Sequence, residues 1–239
     1  MTTHKMRIMT FAAAVAAVAC SPTAEARTPG DSASTTATSN GDVTLAAPAD
    51  AVPAGAIRFN VAATGNAARY RVREQLMGKD LPNDAIGETT EITGMITVDS
   101  TTGTLVAGQS KFVINTGGLK SDAARRDGYV RARVLESATY PTVEFVPTGV
   151  RGLTAASELA SGPKTFELIG NLTVRGVTRP TTWKVTAQQA PGRATGSAST
   201  KFTFADFTMT PPKVPVLLSV ADTIALEYDF TLVRDPAKP

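Results

Sequence analysis

The sequence predicts an all-β domain, a barrel or a sandwich, on three observations. Apolar side chains recur with period 2 rather than 3.6, Thr and Val are abundant, and turn residues punctuate the apolar runs at short intervals. The clearest run is the last. Ile224, Leu226, Tyr228, Phe230 and Leu232 alternate with Ala225, Glu227, Asp229, Thr231 and Val233, which puts five apolar residues on one face of a strand and sends Glu227 and Asp229 to the other. Ile92, Ile96 and Val98 share a face in the same way. So do Phe112 and Ile114, Val143 and Phe145, Phe166 and Leu168, Leu172 and Val174, Trp183 and Val185, and Phe202 and Phe204. Turn signals stand between these runs at residues 99–103, Pro147-Thr148-Gly149, Arg175-Gly176 and Pro191-Gly192. The spacing gives eight or nine strands.

Residues 121–137 break the period. They hold few β-branched residues and several helix formers, so one or two short helices are expected, with Ser121 as N-cap, Asp122 in the first turn and Gly128 as an interruption. Residues 80–84 read as a hairpin or rim loop. Residues 206–221 contain Pro211, Pro212 and Pro215 and predict a long irregular connection, either a surface loop or a lid over one barrel end.

The chain begins with a targeting pattern. Lys5 and Arg7 form a basic n-region, and residues 8–19 are apolar except for Thr10. Twelve residues are too few to span a bilayer, which takes about 20, and fit the h-region of a secretory signal. Two endings compete. Ala17-Val18-Ala19-Cys20 resembles a bacterial lipobox, which would lipidate Cys20. Ala24-Glu25-Ala26 is a small-x-small cleavage site. Residues 1–26 are therefore assigned to a signal peptide. In residues 27–55, 21 of 29 are Ala, Ser, Thr, Pro or Gly, too little apolar surface to offset the entropy of ordering, and this stretch is expected to be a disordered linker. Residues 56–234 form one domain, and residues 235–239 a tail.

Composition excludes several chemistries. His4 and Cys20 are the only His and Cys, and both precede the domain. The domain therefore has no Ser-His-Asp triad, no Cys-His pair, no imidazole or thiolate metal site and no disulfide. No catalytic residue, metal or cofactor is assigned. Paired carboxylates occur, such as Glu88 with Glu91 or Glu227 with Asp229; the latter two lie on the outward face of the last strand, where solubility is their expected role, and neither pair is read as an acid–base pair. Processing before Cys20 leaves 22 Lys and Arg against 21 Asp and Glu, and processing after Ala26 leaves 22 against 20. So small a net charge is no nucleic-acid footprint.

Several segments, taken in order, resemble the YceI-like, polyisoprenoid-binding family of bacterial exported proteins. Phe59-Asn60-Val61 and residues 68–72 fall where that family's first strands lie. Residues 94–99 resemble its glycine-plus-strand segment, and residues 111–116 the strand before a helical insert. Arg126-Asp127 with Arg131, followed by Tyr140-Pro141 and Phe145, resembles its Arg-Asp segment and Tyr-Pro strand. Residues 170–180, Gly-Asn-Leu-Thr-Val-Arg-Gly-Val-Thr-Arg-Pro, match most closely. The resemblance covers about residues 57–233. It departs where many relatives carry His, because those regions here read Arg71-Val72-Arg73-Glu74 and Gly128-Tyr129-Val130.

The resemblance implies an antiparallel, lipocalin-like β-barrel of about eight strands with a short helical insert and an apolar lumen. It implies a non-catalytic, exported protein of the periplasm or cell envelope that binds a polyisoprenoid or other long-chain lipid. Phe112, Ile114, Phe145, Phe166, Leu168, Trp183, Phe202, Phe204, Tyr228 and Phe230 are the expected lumen residues. Each is also an ordinary core residue if the barrel is packed. Arg126 and Arg131 are the candidate head-group residues, since the planar guanidinium suits phosphate. Membrane contact is expected only through a Cys20 lipid anchor, and the oligomeric state stays open, with a homodimer among the options. Two other function classes compete: an envelope interaction or stress-response module with a packed, ligand-free barrel, and an enzyme acting on a lipid. A hollow or a filled lumen separates the first two.

Overall fold

The computed structural model describes residues 51–236. The signal segment, Cys20 and residues 27–50 of the linker lie outside that range. Ten strand segments follow one another: β1 (Ala56–Val61), β2 (Ala67–Leu76), β3 (Asn83–Thr89), β4 (Ile92–Asp99), β5 (Lys111–Asn115), β6 (Thr142–Arg151), β7 (Lys164–Val174), β8 (Val177–Ala190), β9 (Arg193–Thr203) and β10 (Leu217–Arg234). All pair antiparallel, in the order β1-β4-β5-β6-β7-β8-β9-β10, and β10 pairs back onto β1. The sheet is thus a closed eight-stranded barrel. The two extra segments come from breaks: β1 and β2 form one interrupted strand, and β3 and β4 another, with β2 and β3 extending the hairpin along β10.

The break at residues 62–66 is held by one buried side chain. Asn66 donates through Nδ2 to the carbonyls of Ala62 (2.8 Å) and Thr64 (3.3 Å). Its Oδ1 accepts from the backbone N–H of Thr231 and from the hydroxyl of Tyr228, both at 3.0 Å. An interrupted ladder leaves backbone groups without partners, and a buried amide with two donors and an acceptor supplies them.

The period-2 pattern is the barrel's inside-outside code. In β10, Ile224, Leu226, Tyr228, Phe230 and Leu232 face the interior. Outside, Arg69 pairs with Glu88 and Asp229, and Arg71 with Asp84 and Glu227, across β3, β2 and β10. The expected outward placement of Glu227 and Asp229 is what the structure has. Such a charged exterior is opposite to the apolar band of a membrane-spanning barrel.

Arg175 (φ 50°) and Gly176 (φ 72°) form a two-residue turn between β7 and β8 with both residues left-handed, as a type I′ hairpin requires. Pro147-Thr148-Gly149 is not a turn but lies inside β6. The register with β7 slips between Pro147 and Gly149, so the pair marks a bulge, where a proline without an N–H costs the ladder nothing. Ser121 is not the helix N-cap. The helix α1 spans Ala124–Tyr129, its N-cap is Ala123, and Gly128 lies within it without ending it.

Gly170 is one of the tight constraints on the inner wall. It shares the interior face with Leu168 and Leu172, and a Cβ there would stand 2.4 Å from the carbonyl oxygen of Val146 and 2.6 Å from the Phe145 ring. Backbone and an aromatic ring cannot both retreat. Gly170→Ala is expected to destabilise the barrel by about 1–3 kcal/mol, seen as a lower urea midpoint at unchanged slope.

Candidate ligand-binding site

The barrel encloses a cavity of about 870 Å³. That lies within the range of roughly 300–1,000 Å³ typical of small-molecule sites. All ten expected lumen residues line it: Phe112 and Ile114 from β5, Phe145 from β6, Phe166 and Leu168 from β7, Trp183 from β8, Phe202 from β9, Phe204 just beyond it, and Tyr228 and Phe230 from β10. Phe112, Phe145, Trp183 and Phe204 are buried. Ile114, Phe166, Leu168, Phe202, Leu226, Tyr228 and Phe230 are only partly buried, although they point inward. Inward side chains keep accessible surface because the interior is hollow rather than filled by its own side chains. Ring contacts fix the walls: Phe145 with Trp183 at 5.6 Å, Phe112 with Tyr228 at 6.2 Å, and Tyr228 with Phe230 at 5.7 Å between centroids.

The two ends differ. At one end the β6–β7 connection supplies Leu153, Ala156 and Leu159 to the lining. The other end gathers the β2–β3 hairpin, the insert of residues 116–141, the β7–β8 turn and the β9–β10 connection. The exposed lining residues, Arg125, Pro215 and Val216, all belong to this second end, which is the mouth.

The insert is pinned to the mouth by polar contacts. After α1 the chain widens into an i→i+5 turn over Val130–Val134, closed by the Leu135 N–H on the Val130 carbonyl at 2.8 Å. Leu119, Tyr129, Val130, Val134 and Leu135 thereby cover the lumen. Asp127 is buried and accepts from the Ser121 N–H (2.9 Å) and hydroxyl (2.5 Å). Ser121 therefore ties the loop to the helix instead of capping it. Arg126 lines the cavity and donates to Glu74 at 2.7 Å, to Asp122, and to the Ser121 hydroxyl at 3.4 Å. Glu74 is buried and also accepts from Asn83 Nδ2 at 3.2 Å. Arg131 lies outside the cavity lining and donates to the Leu119 carbonyl at 3.0 Å. The neighbouring Arg125 is exposed at the mouth and makes no ion pair among the described residues.

A second lock joins the insert to the rest of the cap. Glu136, Arg175 and Thr208 are the non-glycine residues with positive φ among the described residues. They meet: the Arg175 guanidinium donates to the Glu136 carboxylate and, at 3.2 Å, to the Thr208 carbonyl. One side chain thus ties the insert, the β7–β8 turn and the β9–β10 connection together where each bends sharply.

Sequence reasoning missed part of the site. Tyr70, Val72, Glu74 and Leu76 of β2 all line the cavity, as do Met209, Pro212, Val214 and Leu217 of the β9–β10 connection and its exit. The β2 set was legible as a period-2 run. Glu74 was hidden because a carboxylate on an inner face breaks the apolar pattern, and its partner Arg126 stands 52 positions away.

Burial acts on two phenols of the lining. Desolvation pushes the Tyr70 hydroxyl up to about 12, with the nearby Arg126 charge opposing it. Desolvation also pushes Tyr228 well up. Among the described residues, no three His, Cys, Asp or Glu side chains gather as a metal site, and no helix is long and apolar enough to cross a membrane.

A closed, hollow, antiparallel eight-stranded barrel with an apolar lumen and a helical cap defines a lipocalin-like ligand-binding fold. The YceI-like domain model matches residues 59–232, and the chain belongs to that family. Curated relatives include a UPF0312 protein of Azotobacter vinelandii, 36% identical over 75 residues, which are 31% of this chain and 35% of the relative. A UPF0312 protein of Pseudomonas putida is 36% identical over 74 residues, 30% of this chain and 34% of the relative. The matched stretch thus spans about a third of those relatives. Among solved structures, a polyisoprenoid binding domain from Saccharophagus degradans superposes with a TM-score of 0.57 at 14% identity, covering 74% of this chain and 98% of that one. Burkholderia cenocepacia BcnA superposes at 0.51 and 15% identity, covering 70% and 95%. At these identities the likeness is one of fold.

A phenol whose folded pKa exceeds its unfolded value of about 10 stabilises the fold below that value and loses the contribution as pH rises through the folded pKa. Stability is therefore expected to fall between about pH 10 and 12 through Tyr70. Tyrosinate absorbance should show a component with a midpoint near 12 that is missing in Tyr70→Phe.

Proposed function

We propose that the chain is a non-catalytic, exported lipid-binding protein that holds a polyisoprenoid or similar long apolar chain in its lumen, for sequestration or carriage in the cell envelope. The single observation that carries this reading is the hollow apolar interior of about 870 Å³. Burial of a hydrocarbon chain yields about 0.8 kcal/mol per CH₂, so a preformed tunnel needs few polar contacts for affinity. The family and the polyisoprenoid binding domain from Saccharophagus degradans support the same ligand class. Export rests on the n-region and apolar run of the first nineteen residues. It holds whether Cys20 is lipidated or the chain is cut after Ala26.

The proposed ligand enters tail first, with its head group at the mouth. Arg126 reaches the cavity there with its charge already matched by Glu74 and Asp122. That geometry favours hydrogen bonding to a head group over bulk charge attraction, and Arg125 beside it supplies the unmatched charge. Arg131 contributes by holding the Leu119 carbonyl and so the insert that roofs the lumen.

Trp183 is the sole tryptophan and lines the lumen, so it reports on occupancy. Titration with prenyl alcohols and prenyl phosphates should change its emission saturably. Ala198→Phe adds a ring to a wall position of the cavity and is expected to weaken binding by at least about tenfold, about 1.4 kcal/mol, while the fold persists. The double variant Glu74→Gln, Arg126→Ala removes the guanidinium without stranding a buried carboxylate. It should lower affinity for the prenyl phosphate more than for the alcohol. No response of Trp183 to any prenyl compound, with equal behaviour of Ala198→Phe, would contradict the reading.

A further inference from the structure

The large apolar side chains that remain exposed are not scattered. Met77 (62% exposed) and Leu81 (76%) belong to the β2–β3 hairpin, while Val216 (56%) immediately precedes β10 and Leu218 (61%) is its second residue. These two segments are one paired flap: the Met77 N–H donates to the Val216 carbonyl at 2.9 Å, and Leu76 stands opposite Leu217. Val233, at 39%, completes the set of exposed large apolar residues and lies at the far end of β10. Four of the five therefore crowd one rim. That rim is the mouth, because Val216 lines the cavity itself, as do Leu76 and Leu217. Exposed apolar side chains of the flap thus stand beside residues that line the lumen, and Val216 is both exposed and part of the lining.

Cations without an ion pair stand beside it. Lys79 is exposed on the hairpin and Lys213 on the β9–β10 connection just before Val216, and Arg125 faces the mouth from the insert. None of the three makes an ion pair among the described residues. Some nearby acids are engaged: Asp84 with Arg71 and Arg73, Asp122 and Glu74 with Arg126. Asp206 and Asp222, farther back on the β9–β10 connection and β10, are exposed and make no ion pair among the described residues. Asp80 alone, between Lys79 and Leu81, is exposed on the hairpin without such a partner.

We propose that this rim seats on the surface of a bilayer containing anionic lipids, with Met77, Leu81, Val216 and Leu218 entering the interface and Lys79, Lys213 and Arg125 meeting head groups. Clustered apolar surface rimmed by cations is the surface that interfacial binding uses. A second copy is a poorer occupant, since a two-fold contact would set these unmatched cations against one another. This contact is separate from any Cys20 anchor. The docking rests on the patch alone. Only its consequence, passage of ligand between bilayer and lumen without crossing water, rests on the lipid-binding reading above.

The test is co-sedimentation with vesicles, using the chain from an exporting host with Cys20→Ser so that no acyl anchor contributes. Vesicles of phosphatidylcholine with one quarter phosphatidylglycerol should retain the protein more than pure phosphatidylcholine, and added salt should weaken the difference. Leu81→Asp combined with Leu218→Asp replaces two exposed side chains and should lower vesicle affinity at least about tenfold. Val233→Asp, at the other end of the barrel, should leave it unchanged. Equal binding by the rim variant, or no binding of the parent to either vesicle, overturns the proposal. So does a parent dimer in sedimentation velocity that the rim variant dissolves, because the patch is then a contact between copies. The Trp183 titration separates the two readings. A parent that binds vesicles through the rim but takes up no prenyl compound keeps the docking and ends the carrier reading. One that takes up prenyl compounds and ignores vesicles ends the docking only.

Discussion

Closure of the sheet at β10 is the constraint on which everything else depends. This strand runs for 18 residues, and both of its edges are used. β9 pairs along one edge, while β2 and then β1 share the other. An open sheet of this length would leave a row of unpaired backbone groups and an edge prone to aggregation. Closing it removes the edge and, in the same step, turns one face of every strand inward. The handover from β2 to β1 is the weak point, and Asn66 repairs it by joining the broken strand to Thr231 and Tyr228 of β10. Tyr228 is thus bound into the closure and into the lumen wall at once.

The lumen follows from that closure together with side-chain size. Aromatic rings lie along the walls, while Gly170, Ala187, Ala194 and Ala198 keep parts of the inner face low. The result is a predominantly apolar lining that is sparse enough to stay hollow. At the mouth the chemistry changes. The insert is held by Asp127 on Ser121 and by the pair of Glu74 with Arg126, and the Arg175 lock fixes it to two neighbouring connections. Partly buried ion pairs of this kind position an element more than they stabilise it. Here they hold an apolar roof over an apolar tunnel.

Much of this was legible in the sequence because period 2 in a closed barrel has one meaning. The alternation in residues 224–232 gave the inner and outer faces of β10, and paired apolar positions elsewhere placed all ten expected residues on the lumen wall. The Arg175-Gly176 turn was legible for the same local reason, since two left-handed residues are what a tight hairpin needs. Non-local chemistry was not legible. Nothing at Ser121 says that its hydroxyl will meet Asp127 rather than cap a helix, and nothing at Pro147-Thr148-Gly149 separates a bulge from a turn without the register against β7. The rim patch escaped notice because Met77, Leu81, Val216 and Leu218 are far apart in the chain and follow no common period. Only the pairing of β2 with β10 brings them together.

The central claim is that the lumen is occupied by a long apolar molecule in the cell. The most direct measurement is native mass spectrometry of the mature chain from an exporting bacterial host, followed by organic extraction and identification of what co-purifies. The account predicts a stoichiometric adduct that extracts as a prenyl chain or a similarly long hydrocarbon. A bare mass from that host, together with a bare mass after incubation with prenyl alcohols, prenyl phosphates and quinones, would contradict it.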